Sequence, residues 1–209
     1  MKPILATLLA ALALAGCAAS QPTRYYTLAS PESSGSSHSS AMPVDGQPLA
    51  IELAPLALPE RLARPQIVMR QAGPGGEAQL TVLEQHRWAS SFENELRDAL
   101  ASGIAMRLGA LDQSRSARAN TPATYRIAVH LRQFDAVDAG RVDAAFSWTL
   151  RHVGDPQAQV HQLALSEPVA GDSVDALAQA AQRLVARMAE AISGSVTAAQ
   201  GLRAGAKPS

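Results

Sequence analysis

The sequence predicts one α/β domain: a mixed, mostly antiparallel sheet packed by two main helices. Three observations carry this. Tyr125–Arg132 and Val142–Arg151 alternate strictly between apolar and polar residues, the period of strands with one buried face. Phe92, Leu96, Leu100, Ile104 and Leu108, and later Leu177, Ala181, Leu184, Met188 and Ile192, form apolar stripes with helical spacing. The order of these runs is strands, helix, three strands, helix, and strands with one apolar face need the cover that two amphipathic helices supply.

Taken in order, Arg24-Tyr25-Tyr26-Thr27-Leu28 is β-rich, and 30–47 is a serine- and glycine-rich stretch, too polar to pack, that reads as a flexible loop. Leu49, Ile51 and Leu53 alternate with Ala50 and Glu52 as a half-buried strand. Leu58–Leu111 is the stretch around which the rest is organised. Pro59 and Pro65 fix φ and push the residues before them to extended backbone, and Gln66–Arg70 follows as a short strand. Gly73-Pro74-Gly75-Gly76 is a turn signal, after which Leu80–Glu84 returns as the partner strand. Ser90 and Glu93 have capping-box spacing at the start of the first helix. Glu93 and Glu95 in its first turn and Arg107 in its last suit the helix dipole, and Gly109 suits the C-cap. Asp112–Thr121 is a polar loop. Asp138-Ala139-Gly140 connects the two alternating strands as a hairpin, Val160–Glu167 returns as a third, and Asp172 or Ser173 caps the last helix. The tail is expected to be disordered over 201–209.

Composition excludes several functions. The chain has 209 residues, 47% hydrophobic and 17% charged, enough for one ordinary core. Net charge is zero, so no nucleic-acid or polybasic membrane surface is indicated. Lysine occurs only at Lys2 and Lys207, with arginine at every other basic position. None of His38, His86, His130, His152 and His161 stands in a metal-ligand spacing, and no second cysteine completes a thiolate zinc site. No GxSxG elbow is present, and Gly73–Gly76 lacks the Lys-Ser/Thr of a phosphate loop. His130 and Asp135 would form a triad only with a serine facing them, whereas His130 falls on the polar face of its strand. Trp88, Phe92, Phe146 and Trp148 read as core. On residues alone the domain is non-enzymatic, with no cofactor or metal.

The amino terminus sets the compartment. Lys2 is a positive n-region, and Ile4–Ala15 is an apolar run too short to span a membrane. Leu14-Ala15-Gly16-Cys17 resembles a bacterial lipobox, which makes 1–16 a lipoprotein signal peptide and Cys17, the only cysteine, the lipidated residue. Each buried methylene contributes about 0.8 kcal/mol, so two or three acyl chains anchor a protein lastingly. Ala18 is not the aspartate that retains enterobacterial lipoproteins at the inner membrane, which favours the outer membrane, facing the periplasm. With 17–22 as tether, the domain is expected over 23–200.

The ordered set Tyr25-Tyr26-Thr27-Leu28, Leu58-Pro59-Glu60…Leu62…Arg64-Pro65-Gln66-Ile67-Val68…Arg70, Arg87-Trp88-Ala89 and Tyr125–Asp135 behind that lipobox resembles the PqiC/YmbA family, the ABC-type transport auxiliary lipoproteins. Ala89-Ser90-Ser91-Phe92 departs from the Ala-Glu-Pro-Leu of many members, and the loop over 30–47 is longer than usual. The resemblance implies a three-layer arrangement around a mixed sheet. It also implies a non-enzymatic part of an intermembrane lipid transport system. The partners would be an inner-membrane permease and mammalian-cell-entry (MCE) domain proteins that bridge the periplasm, with self-association into a ring. The nucleotide-binding site would then lie on another chain. An assembly lipoprotein binding an outer-membrane barrel or the cell wall, and an anchored periplasmic hydrolase, are the rival readings. As partner-binding residues the sequence offers Arg64, Pro65 and Arg70: guanidinium groups on a stiffened run, poised for a partner's carboxylates or for acids within the same subunit, Glu60 or a cross-strand acid.

Overall fold

The computed structural model describes residues 21–29, 49–73, 78–114, 123–137 and 140–205. The signal peptide over 1–16, Cys17 and the loop over 30–47 lie outside the described residues. Eight strands form one mixed sheet: β1 (Arg24–Tyr26), β2 (Ala50–Leu53), β3 (Gln66–Arg70), β4 (Leu80–Trp88), β5 (Leu111–Asp112), β6 (Tyr125–Val137), β7 (Arg141–His152) and β8 (Gln159–Pro168). Among the described residues the α-helices are α1 (Phe92–Leu108) and α2 (Val174–Gly205). The long ladders, β3–β4, β6–β7 and β7–β8, are antiparallel, while β1–β4, β2–β5, β2–β6 and β3–β6 are short parallel pairings.

β6 is the spine. One of its edges carries β7 along its whole length; the other is shared between β2 near Tyr125 and β3 near Val137. Between those two, the chain after β2 stays beside β6 as far as Ala57 before leaving it through a 3₁₀ turn at Glu60–Leu62. Tyr125, Ile127, Val129 and Leu131 point into the core as the alternation predicts, and so do Val142, Ala144, Phe146, Trp148 and Leu150 of β7.

The helices pack on one and the same face, and on each other. A Cβ built on Gly103 of α1 would stand 3.1 Å from the Ala189 Cβ of α2, so the glycine sets how closely they approach. All the apolar stripe of α2 and all but the last residue of that of α1 are buried in one continuous core with the sheet. The opposite face shows Arg126, Ala128, His130 and Arg132 to solvent. Among the described residues both helices thus spend their apolar stripes on the sheet and on their mutual contact, in the single-domain mixed α/β fold expected.

The helix-end signals held with two shifts. The N-cap of α1 is Ser91, whose Oγ accepts from the Asn94 N–H at 3.3 Å, in place of the Ser90/Glu93 box. Phe92 is pulled between Trp88 and Phe134, with ring centroids 5.8 and 5.0 Å away, so the helix must begin there. Ser90 instead donates to Glu95 Oε1 at 3.1 Å. Gly109 closes the helix at φ 57°, the left-handed cap conformation. The second shift is at the tail: α2 runs to Gly205, past Gly201. Arg203 bonds Asp155 Oδ2 at 3.0 Å and Ala199 is buried, which hold the added turn. Ser173 caps α2, accepting from the Ala176 N–H at 3.1 Å.

Candidate functional site

The arm leading into β3 is built from its prolines upward. Pro59 sits at φ −62°, ψ 140° and starts the 3₁₀ turn, in which Leu62 N–H donates to Pro59 O at 2.9 Å. Leu62 plugs into the core, and the Pro65 carbonyl accepts from the Trp88 N–H at 2.7 Å. Arg64 and Pro65, between these two fixings, are exposed, and Arg64 has no ion pair among the described residues.

Arg70 is different. Its Nε and Nη2 both lie 2.9 Å from Asp135 Oδ2 on the neighbouring β6, and Gln133 Nε2 donates to the same oxygen at 2.9 Å. Arg61, from the 3₁₀ turn, approaches Oδ1 at 3.7 Å. Asp135 is only 4% exposed, so a buried carboxylate is held between two cations and an amide. The cluster fastens both ends of the arm to the spine of the sheet. Of the three residues predicted for partner contacts, the structure leaves Arg64 and Pro65 on the surface and turns Arg70 inward onto a cross-strand acid. The sequence offered a cross-strand acid for Arg70 without naming it; that this acid is Asp135, shared with Arg61 and Gln133, was not predicted. Asp135 makes none of its hydrogen bonds to His130, which is exposed, so no triad forms between them.

Beside this cluster lies a surface hollow of about 450 Å³ lined by Arg70, Gln71, Gln133, Val137, Arg141 and Asp143. Its charges are matched: Arg141 Nε meets Asp143 Oδ2 at 2.8 Å, and Ser166 donates to Asp143 Oδ1 at 2.6 Å. Under the arm, the space between Ile67, Trp88, Phe92 and Phe134 is about 20 Å³, room for a water and not for an acyl chain. Among the described residues no group of three or more His, Cys, Asp or Glu is placed to hold a metal ion, and no helix is long and apolar enough to cross a membrane.

The amino-terminal strand bears on the anchor. β1 pairs in parallel with the end of β4, Tyr26 opposite Trp88, and Leu28 just after it is buried. Glu95 of α1 secures it, accepting from the Leu28 N–H at 3.0 Å and from Thr27 Oγ1 at 2.8 Å. Gln182 of α2 donates to Thr27 O at 2.9 Å. The Tyr26 hydroxyl lies 2.8 Å from His86 Nδ1, and its burial pushes the phenol above its usual range. Residue 24 is therefore already part of the folded domain.

Fold and surface together define a single-domain α/β protein, helices on one sheet face, with a proline-stiffened arm locked from within and an amino terminus tied into the sheet. The chain belongs to the family of ABC-type transport auxiliary lipoprotein components, whose profile matches residues 26–193. Among solved structures, the fold is shared with an uncharacterized protein (19% identity, TM-score 0.64, covering 84% of this chain and 99% of that one). It is also shared with protein XCC0632 from Xanthomonas campestris (17% identity, TM-score 0.58, covering 73% and 86%). At such identities the likeness is one of fold alone. No curated protein matches the sequence.

Proposed function

We propose that the protein is a non-enzymatic lipoprotein held by acyl chains on Cys17 at the periplasmic face of the outer membrane. There it docks the outer end of an MCE-domain bridge in an ABC-type intermembrane lipid transport system. Family membership supports a transport auxiliary role. The observation that carries the placement is β1: only Ala18–Thr23 separate Cys17 from a strand paired into the sheet. Six residues at no more than about 3.5 Å each reach roughly 20 Å, so the domain sits close against the leaflet that holds its lipid. That suits a docking element at the membrane and suits a long-reaching cell-wall binder poorly. Arg64, exposed on an arm whose backbone is fixed on both sides, is the side chain offered to the partner's carboxylates.

The test is capture of purified periplasmic MCE segments by the full-length lipidated protein in detergent, with Arg64→Glu alongside. Binding weakened at least tenfold by Arg64→Glu, without a change in melting temperature, is the expected result. Absence of capture at micromolar concentrations of both proteins overturns the reading.

A further inference from the structure

Among the described residues β8 has one partner strand, β7, and none on its other edge. The phase of the ladder fixes which groups lie on that edge. Val169 N–H donates to Gly140 O at 2.7 Å, one step beyond the Arg141–Pro168 pair. Antiparallel pairs alternate between hydrogen-bonded and non-bonded. The odd-numbered residues from Gln159 to Glu167 therefore bond to β7, and the backbone of Val160, Gln162, Ala164, Ser166 and Pro168 faces outward. Two arginines of α2 agree with this phase: Arg187 Nη1 donates to Ser166 O at 2.8 Å and Arg183 Nη2 to Pro168 O at 2.9 Å. Both also bond Glu167, whose carboxyl the Arg183 hydrogen bond holds below its usual range.

So among the described residues one half of the edge is capped and the other carries no cap. Proteins blunt a free edge with charges, proline or a covering side chain, and the sequence Gln159-Val160-His161-Gln162-Leu163-Ala164-Leu165 has no charge and no proline. Val160 is 74% exposed. Beyond Arg187 the same face of α2 continues through Ala191, Gly194 and Ala198, none long enough to reach across the edge, and a Cβ on Gly194 would meet open space.

We infer that this half-edge pairs with the same half-edge of a second copy of the chain, antiparallel about a two-fold axis at Gln162. The segment is self-complementary. Gln162 meets the second copy's Gln162, and Val160 meets the second copy's Ala164, each as a hydrogen-bonded pair, about six hydrogen bonds in all. No like charges oppose one another across the axis. The capping arginines mark where pairing stops, and Pro156 lies just beyond the other end. The other end strands among the described residues, β1 with three residues and β5 with two, offer far fewer edge groups, so β8 against β8 is favoured over pairing with either. The product is a closed pair with a continuous sheet, its two α2 helices side by side. This inference rests on the sheet edge and not on the transport reading.

The test uses the full-length protein. In a hydrogen-bonded antiparallel pair the Cα atoms are about 5.5 Å apart, within reach of a short bis-maleimide. Gln162→Cys is expected to give at least tenfold more cross-linked dimer in the periplasm than Thr149→Cys, which lies on the same sheet face one strand inward. In sedimentation of the detergent-solubilised lipoprotein, Ala164→Pro removes only an outward N–H, tolerated on an edge, and is expected to shift the species from dimer to monomer. Gln162→Lys, which sets like charges on the axis and leaves the monomer's ladder intact, does the same should the proline variant fail to fold. Equal cross-linking at 162 and 149, or a wild-type protein monomeric at about 100-fold the concentration used for cross-linking, overturns the pairing.

Discussion

Charge reversal separates the two arginines of the arm. Arg70→Glu places a second carboxylate against Asp135, which is almost fully buried. Removing one partner of a buried ion pair costs about 3–5 kcal/mol, because the other charge is left uncompensated in a poor solvent for ions. Two features reduce this: the Arg70 side chain is 27% exposed, and Arg61 still stands 3.7 Å from the other oxygen. A loss of about 2–4 kcal/mol remains. For a domain of this size each kcal/mol shifts Tm by about 2–4 °C, so thermal unfolding followed by circular dichroism should fall by about 5–15 °C. Arg64→Glu, at an exposed side chain without an ion pair among the described residues, should stay within about 2 °C, as surface substitutions do. The double variant Arg70→Met with Asp135→Leu removes both charges and fills the site with apolar volume, so it should recover most of the loss. An Arg70→Glu protein that melts with the wild type refutes the buried-cluster account of the arm.

Three further outcomes follow from contacts elsewhere. Amide exchange at Tyr26 and Leu28 should be slow, and Glu95→Ala should speed Leu28 at least tenfold, since it removes that amide's acceptor; an unchanged Leu28 would mean that β1 is held by something else. Glu167, whose carboxyl is lowered first by the Arg183 hydrogen bond, contributes stability that is complete above its unfolded value of about 4.3 and is lost as pH falls through its lower native value. Glu167→Gln should therefore flatten the acid limb of the melting curve against pH, and parallel limbs for the two proteins would contradict this. Cys17→Ser should abolish palmitate incorporation and release the protein from membranes, and label entering the variant would disprove the lipobox.

Much of the fold was legible because burial imposes a period. The alternation of β6 and β7 and the helical apolar stripe of each helix survive in the structure almost residue for residue. What was not legible lacks a period or depends on distant chain. β5 has only two residues, Leu111–Asp112, and exists because Leu111 N–H finds Leu49 O at 2.8 Å across a long separation in sequence. The cap on Ser91 and the extra turn of α2 were decided by tertiary contacts, Phe92 in the core and Arg203 on Asp155, which outweighed the local cues.

A cross-strand acid was one of the two partners the sequence left open for Arg70; which acid was not legible, yet the sequence around Asp135 does bear a mark of it. From Tyr125 to Leu131 the buried apolar residues of β6 are odd-numbered; after it, the aromatic Phe134 is even-numbered. A regular strand cannot keep both on one face. The ladder resolves this with a bulge between Leu131 and Gln133, where Leu131 faces Phe146 and Gln133 faces Ala145. Without the bulge, Phe134 would point to the outer face and Asp135 into the apolar core beneath α1 and α2, an unpaired carboxylate among hydrocarbon. With it, Phe134 reaches Phe92, and Asp135 emerges on the face where Arg70 and Arg61 meet it. One extra residue in one strand thus starts the helix at Phe92 and locks the arm that presents Arg64. A change of parity in an apolar run followed by an acid is the local sign of that arrangement, while the identity of the acid's cationic partners is set by β3 and the 3₁₀ turn, which no local pattern encodes.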